Sequence, residues 1–439
     1  MPIGRLAFLA LLLLIACAGA GHAAPPAVAV DGARLAAHLE ALSAFGHNPE
    51  GGVSRVAYSD ADLAGRAFVM GLLEELGLAP RVDAAGNILA RRAGSVAGLA
   101  PILFGSHIDS VPHGGNYDGD AGVMAAIEVL ATLEDAGIRT RHPLEVVVFS
   151  NEEGGLIGSK ALAGILDPAV LEETSQAGMS IAEGIRRIGG DPARLAEAVR
   201  RSGDYAAYLE LHIEQGAVLD RAGEDIGVVT GIVGIDWWDV TVTGAANHAG
   251  TTPMNARRDA LVGAAEMILA VNRIALGEPG THVATVGRIA ARPGAPNVIP
   301  GRVAMSLEIR DLSNARILEL FGRMRAAAET IAAARGLTVD FRKTPIHEIA
   351  KETDPRFRDV IEAAARARGY SARRMPSGAG HDAQAIAHIA PIGMIFVPSV
   401  GGISHAPDEL TPPEALARGT NVLLDAVLAI DTLPDPKGE

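Results

Sequence analysis

Apolar runs of strand length deliver histidines or carboxylates at several points of this chain, and that coincidence constrains the fold more than any other feature. Pro101-Ile102-Leu103-Phe104-Gly105-Ser106 leads into His107-Ile108-Asp109, and Leu144-Glu145-Val146-Val147-Val148-Phe149 leads into Asn151-Glu152-Glu153-Gly154. Between them, Gly114-Gly115-Asn116-Tyr117-Asp118-Gly119 is a glycine-rich turn opening a helical run, Val123 to Leu133. A third strand, Ala206 to Ile213, carries His212 near its end and runs on into Glu214-Gln215. Strand–helix–strand order with the chemistry at strand C-termini describes an α/β layer with a mostly parallel sheet.

At 439 residues the chain exceeds one ordinary core, so two domains are expected. Leu35 to Leu42 and Asp60 to Leu78 have helical spacing, and Ala161 to Arg201 reads as helix-rich. The texture changes near Gly234. Strands are expected at Asp236 to Thr243, Val283 to Ala290, Val303 to Ile309 and Leu337 to Arg342, with helices at Ala256 to Ile274 and Ser313 to Arg335. That β-α-β-β-α-β order is ferredoxin-like. Helix Asp354 to Arg368 and strand Ile392 to Pro398 then return to the first pattern. The expected division is therefore 1–24 as a signal peptide, 25–233 with 345–439 as a catalytic domain, and 234–344 as an inserted α+β domain.

Hydrophobic content of 49% with 21% charged residues describes a folded globular protein, not a disordered one. A net charge of −14 argues against nucleic acid as a partner, because phosphate binding needs a basic face. Arg5 followed by the apolar stretch Leu6 to Ala16 and then small residues is a targeting signal, so an exported, periplasmic or secreted protein is expected. The single cysteine, Cys17, lies in Leu14-Ile15-Ala16-Cys17, which is similar to a bacterial lipobox. Two readings stay open: lipid attachment at Cys17, the one route to a membrane, and an ordinary residue discarded with the signal. With no other cysteine, a thiolate nucleophile is excluded.

Paired glutamates at a strand end repel each other unless a cation or proton relieves them. With metal present the two can divide the work, Glu153 ligating and Glu152 taking a proton from water. Asp118 can offer its two oxygens to two ions. Each piece alone is weak; several together in a chain with 13 histidines point to a metal site.

At His107-Ile108-Asp109, Asp118-Gly119, Asn151-Glu152-Glu153-Gly154, Glu210-Leu211-His212-Ile213-Glu214-Gln215-Gly216, His248-Ala249-Gly250-Thr251-Thr252-Pro253-Met254 and Asn297-Val298-Ile299-Pro300 the chain resembles the M20 metallopeptidase clan. More narrowly it resembles the hydantoinase/carbamoylase amidases, from about Leu35 to Leu428. The resemblance implies a zinc-peptidase-like catalytic domain and an inserted domain that dimerises and covers the site. It implies two divalent ions, zinc first, with manganese, cobalt or nickel as alternatives. One ion would be held by His107, Asp118 and His212, the other by Asp118, Glu153 and His405, with Glu152 as general base and Asp109 orienting His107.

His248 would stabilise an oxyanion, in its own or a partner's site. Gln215 would meet the scissile carbonyl, Asn297 and Arg310 would hold a substrate carboxylate, and His381 would line the site. From the residues alone, His248 reads equally as a loop residue before a helix, Arg310 as half of a salt bridge, and Asp382 as a turn residue.

The implied activity is hydrolysis of a linear C–N bond, an N-carbamoyl or ureido group on a small carboxylate, in a homodimer. An aminoacylase or small peptidase of the clan, and a non-catalytic exported binding protein on the same fold, are the alternatives. Three features depart from the resemblance: Gly154-Gly155-Leu156-Ile157-Gly158-Ser159 replaces the usual Gly-x-Arg-Phe continuation, Asp120 adds a carboxylate beside Asp118, and an exported location is unusual for the branch.

Overall fold

The computed structural model describes residues 28–434; the signal segment and Cys17 lie outside them. A nine-stranded sheet forms the larger part. Its centre is four adjacent strands in mutual parallel register, in the order Leu144–Phe149, Ile102–His107, Ala207–Ile213 and Ile392–Val397. Antiparallel pairing with Ile88–Arg92 closes one side and with Ile226–Ile232 the other. All four central strands are buried along their whole length, as parallel strands covered on both faces must be.

Alternate strand residues build two cores. On one face Ile102, Phe104, Val146, Val148, Leu209 and Leu211 pack with helices Gly32–Ser43, Asp60–Glu75, Asp120–Asp135, Pro355–Ala367 and Pro413–Ile430. On the other, Leu103, Val147, Phe149, Tyr208, Met394 and Phe396 meet Leu162 and Ile386 from the short helices Ile157–Leu162 and Asp382–Ile386. The mostly parallel α/β sheet expected from the sequence is present.

The chain leaves this sheet after Ile232 and re-enters it at Lys351–Glu352. The intervening residues build a second, wholly antiparallel sheet with helices Ala260–Leu276 and Asn314–Ala334 packed on it. Strand Gly234–Thr243 lies between Arg302–Asp311 and Thr338–Glu348, with Ile289–Arg292 outside Arg302–Asp311. First, third and fourth strands thus adjoin as β-α-β-β-α-β connectivity requires. Trp238 is core packing, its ring stacked 4.1 Å from Phe321.

Three expected elements differ. Val283 to Ala290 is broken into Val283–Thr285 and Ile289–Arg292, each pairing a different part of Arg302–Asp311. The helix expected from Ala256 begins at Ala260, where the Asp259 side chain accepts from the Leu261 and Val262 amides. Ala161 to Arg201 carries one α-helix of its own, Ile181–Arg187, between short 3-10 turns started by Asp-Pro pairs, Asp167-Pro168 and Asp191-Pro192. Among the described residues no helix is long and apolar enough to cross a membrane.

Candidate metal centre

The four central strands all point their C-terminal ends at one place, where open α/β sheets gather ligands. His107 ends Ile102–His107 and His212 lies inside Ala207–Ile213; Glu152 and Glu153 follow Leu144–Phe149, and His405 follows Ile392–Val397. Asp118 stands just before Gly119, which begins helix Asp120–Asp135 at a φ of 69°. A Cβ on Gly119 would overlap the His107 ring, so the turn and the imidazole fit only because this residue is glycine.

Two groups of donor atoms that share Asp118 converge there, His107 with Asp118 and His212, and Asp118 with Glu153 and His405, and a third, Glu210 with His212 and His381, shares His212; within each group the atoms lie within 4.8 Å of one another. Asp118 belongs to the first two. Its Oδ1 is 3.1 Å from His212 Nε2 and 3.9 Å from His107 Nε2, while its Oδ2 is 3.0 Å from His405 Nε2. Glu153 Oε1 is 3.5 Å from His405 Nε2.

The histidine tautomers follow from their other nitrogens. His107 Nδ1 lies 2.9 Å from the Asp109 carbonyl and His212 Nδ1 3.0 Å from the Ile213 carbonyl. A carbonyl only accepts, so both Nδ1 atoms carry hydrogen and both Nε2 atoms face the cluster. Burial pushes the His107 imidazole down to about 4, keeping it neutral at pH 7.

The residues fit divalent cations. Glu153 Oε1 is buried yet has no hydrogen-bond partner, and it belongs to a donor group. Burial, then the neighbouring Asp118, pushes the Glu153 carboxyl up to about 8. Burial first, then Asp382 and Glu153, drives Glu152 well above the carboxylate range. Carboxylates crowded this closely need positive charge to stay ionised together.

Asp109 meets His107 through its main chain. Its carbonyl orients His107, while its carboxylate oxygen stands 3.9 Å from that ring. The carboxylate instead accepts the amides of Glu152 and Glu153, both at 3.1 Å, fixing the turn that presents them. Glu152 Oε2 reaches to 3.8 Å from His107 Nε2.

Asp118, Glu153, His212 and His405 line a cleft of about 280 Å³, together with Glu152, Gln215, Ile235, Arg310, Glu348 and His381. Gln215 Nε2 donates to Asp118 Oδ2 at 2.8 Å. Arg310 is both a cleft residue and a salt-bridge partner: its fork meets Glu308 at 2.8 and 3.2 Å and donates to the Gly378 carbonyl. His381 is fully buried, its ring 4.5 Å from that of His212 and its Nε2 2.8 Å from Ser377 Oγ. Four non-glycine residues at or beside the donor cluster, Asn151, Leu156, Gln215 and His405, hold positive φ, backbone strain of the kind that gathers at functional sites.

Two expected residues are elsewhere. His248 and Asn297 are exposed on a small ribbon where Asn247–His248 pairs with Val298–Ile299, and neither lines this chain's cleft. Asp120 is no extra ligand: it pairs with the fully buried Arg55, which also binds the Ile108, Leu42 and Phe45 carbonyls. Asp382 is a fully buried first residue of helix Asp382–Ile386, not a turn residue.

The sequence analysis gave no role to Glu210 or Glu409. Glu210 accepts from Ser106 Oγ, Tyr208 hydroxyl and the Ala383 amide; Glu409 accepts from the amides of Tyr117 and Asp118. The only signal for either was a carboxylate close to a candidate ligand, Glu210 two residues before His212 and Glu409 four after His405. A larger cavity of about 680 Å³ lies at the opposite strand ends, against Ala100, Ala206 and Ile392, and contains none of the donors.

Peptidase family M20/M25/M40 matches residues 103–429. An N-carbamoyl-L-amino acid amidohydrolase of Geobacillus stearothermophilus is 41% identical over 405 residues, covering 91% of this chain and 98% of that protein. Allantoate amidohydrolase of Bacillus subtilis (strain 168) is 35% identical, covering 88% of this chain and 95% of that protein. Among solved structures, a hydantoinase/carbamoylase family amidase from Burkholderia multivorans aligns with a TM-score of 0.86 and 39% identity, over 93% of this chain and all of that one, 100%. The cluster at the strand ends therefore sits in a chain that belongs to peptidase family M20/M25/M40.

Proposed function

We propose that this chain is a two-metal amidohydrolase that cleaves the linear C–N bond of an N-carbamoyl or ureido group carried by a small carboxylate. The observation that carries this reading is the pair of donor groups sharing Asp118, with Glu152 beside them. The substrate class follows the names of the relatives, which act on carbamoyl amino acids and allantoate.

In this reading His107, Asp118 and His212 hold one ion, and Asp118, Glu153 and His405 the other. Mixed imidazole and carboxylate donors suit zinc, with manganese, cobalt and nickel as competitors. Two such ions, when bound, polarise the scissile carbonyl and acidify the attacking water. Glu152 accepts that water's proton at its carboxylate and returns it to the departing nitrogen. Arg310 receives the substrate carboxylate in its guanidinium fork, competing with Glu308 for it. Gln215 and His381 close the cleft around the reacting group.

His248 and Asn297 stand together on an exposed ribbon, so the reading adds a homodimer in which the 234–344 region carries them to a partner's cleft. There His248 stabilises the oxyanion. The mature protein is exported, by cleavage of the N-terminal segment or with lipid on Cys17; the intact mass of the mature chain distinguishes the two.

The test is turnover of N-carbamoyl amino acids, ureido acids, N-acetyl amino acids and dipeptides by the metal-reconstituted protein, with ammonia release followed. Carbamoyl or ureido turnover, abolished by Glu152→Gln, is expected. Turnover of acetylated or dipeptide substrates instead would make the chain an aminoacylase or small peptidase. Folded protein without bound metal or turnover would make it a binding protein.

A further inference from the structure

Glu409 lies in the loop between strand Ile392–Val397 and helix Pro413–Ile430, four residues after His405, and is 4% exposed. Its Oε1 accepts the backbone amides of Tyr117 at 3.0 Å and Asp118 at 3.1 Å. Its Oε2 accepts the Ser404 hydroxyl at 2.8 Å and the His405 amide at 3.3 Å. One carboxylate thereby ties together the two loops that bring Asp118 Oδ2 and His405 Nε2 to 3.0 Å.

Two further observations show that the loops are built around this group. A Cβ on Gly115 would overlap the Glu409 carboxylate and its Cβ, so the glycine-rich turn before Asp118 leaves the room this side chain occupies. His405 holds a φ of 54°, which a non-glycine residue keeps only where its surroundings enforce it. The hydrogen bonds to Glu409 fall on this residue and on Ser404 just before it.

We propose that Glu409 is a positioning residue of the second metal centre: its carboxylate sets the spacing of Asp118 and His405 at which one ion is held between them, without touching that ion. This rests on the two-metal reading above. Glu153, the third donor of that group, is positioned separately by Asp109. Loss of Glu409 therefore loosens two donors of the second ion, and only the shared Asp118 of the first. Partners of ligand groups of this kind are worth about 10–100-fold in metal affinity.

The experiment titrates zinc into metal-free wild type, Glu409→Ala and Glu409→Gln in competition with a chromophoric chelator. In parallel, kcat is followed as free zinc is raised. The expected result is two ions in wild type, and in Glu409→Ala a second-site affinity lower by about tenfold or more, with the first site moved less. The kcat lost by Glu409→Ala returns as zinc is raised. Glu409→Gln is isosteric, which guards against loss of folding. With its amide nitrogen toward Ser404 it keeps the Tyr117 and Asp118 bonds and loses the His405 amide, so it falls between the other two.

Unchanged second-site affinity in both variants, with only a lowered Tm, would make Glu409 a structural residue and overturn the proposal while leaving the two-metal reading intact. Fewer than two ions in folded wild type would overturn both.

Discussion

Glu152 and Glu153 are neighbours in sequence with different surroundings. Both amides are held by Asp109, but the Glu152 carboxylate turns toward His107 and that of Glu153 toward His405. Glu152→Gln is expected to lower kcat by about 10²–10⁴-fold with both ions retained, because it removes a proton acceptor and no ligand. Glu153→Gln is expected to lose the second ion, which metal analysis separates cleanly from the first case. Arg55 tests a different kind of residue. Its loss strands Asp120 in the interior, and Arg55→Ala should cost about 3–5 kcal/mol in urea denaturation. The ligand residues were legible because imidazoles and carboxylates at strand ends are unusual in themselves. Arg55, Glu210 and Glu409 were not, because ordinary surface composition describes them equally until the fold supplies partners such as Asp118, 291 positions from Glu409.

Among the elements, the four central strands were readable because each is a continuous apolar run. Ile88–Arg92 and Ala372–Ser377 were not, because they combine exposed arginines with short apolar stretches, and the second includes Pro376. The helix start at Asp120 shows how an element positions chemistry. Gly119→Ala places a methyl against the His107 ring at a backbone conformation that alanine resists. The expected outcome is weakened binding at the His107–Asp118–His212 group, read by zinc competition. Far-UV circular dichroism should stay unchanged, since the helix itself is packed along its length. His248 and Asn297 mark where sequence and this chain's geometry part: their residues were identified, but their ribbon lies outside the cleft. No pattern within one chain states which copy's cleft a loop serves.

At the scale of the whole molecule, the account requires two metal ions, two kinds of sheet and a second copy. Removing metal with a chelator should abolish turnover and lower Tm, since ions bound only by the folded state stabilise it; a Tm unchanged by removal would contradict the ligand assignment. Mixing Glu152→Gln with His248→Ala protomers tests the dimer. Each homodimer is inactive, whereas a mixed dimer joins an intact Glu152 to an intact His248 at one of its two clefts and regains turnover. No recovery after subunit exchange would confine both residues to one chain. The most direct measurement is anomalous diffraction from crystals of the zinc-reconstituted protein. The account predicts two peaks flanking Asp118, each about 2.0–2.2 Å from one of its oxygens, one beside His107 and His212 and the other beside Glu153 and His405. A single peak in active protein, or a second peak away from Asp118, would contradict it.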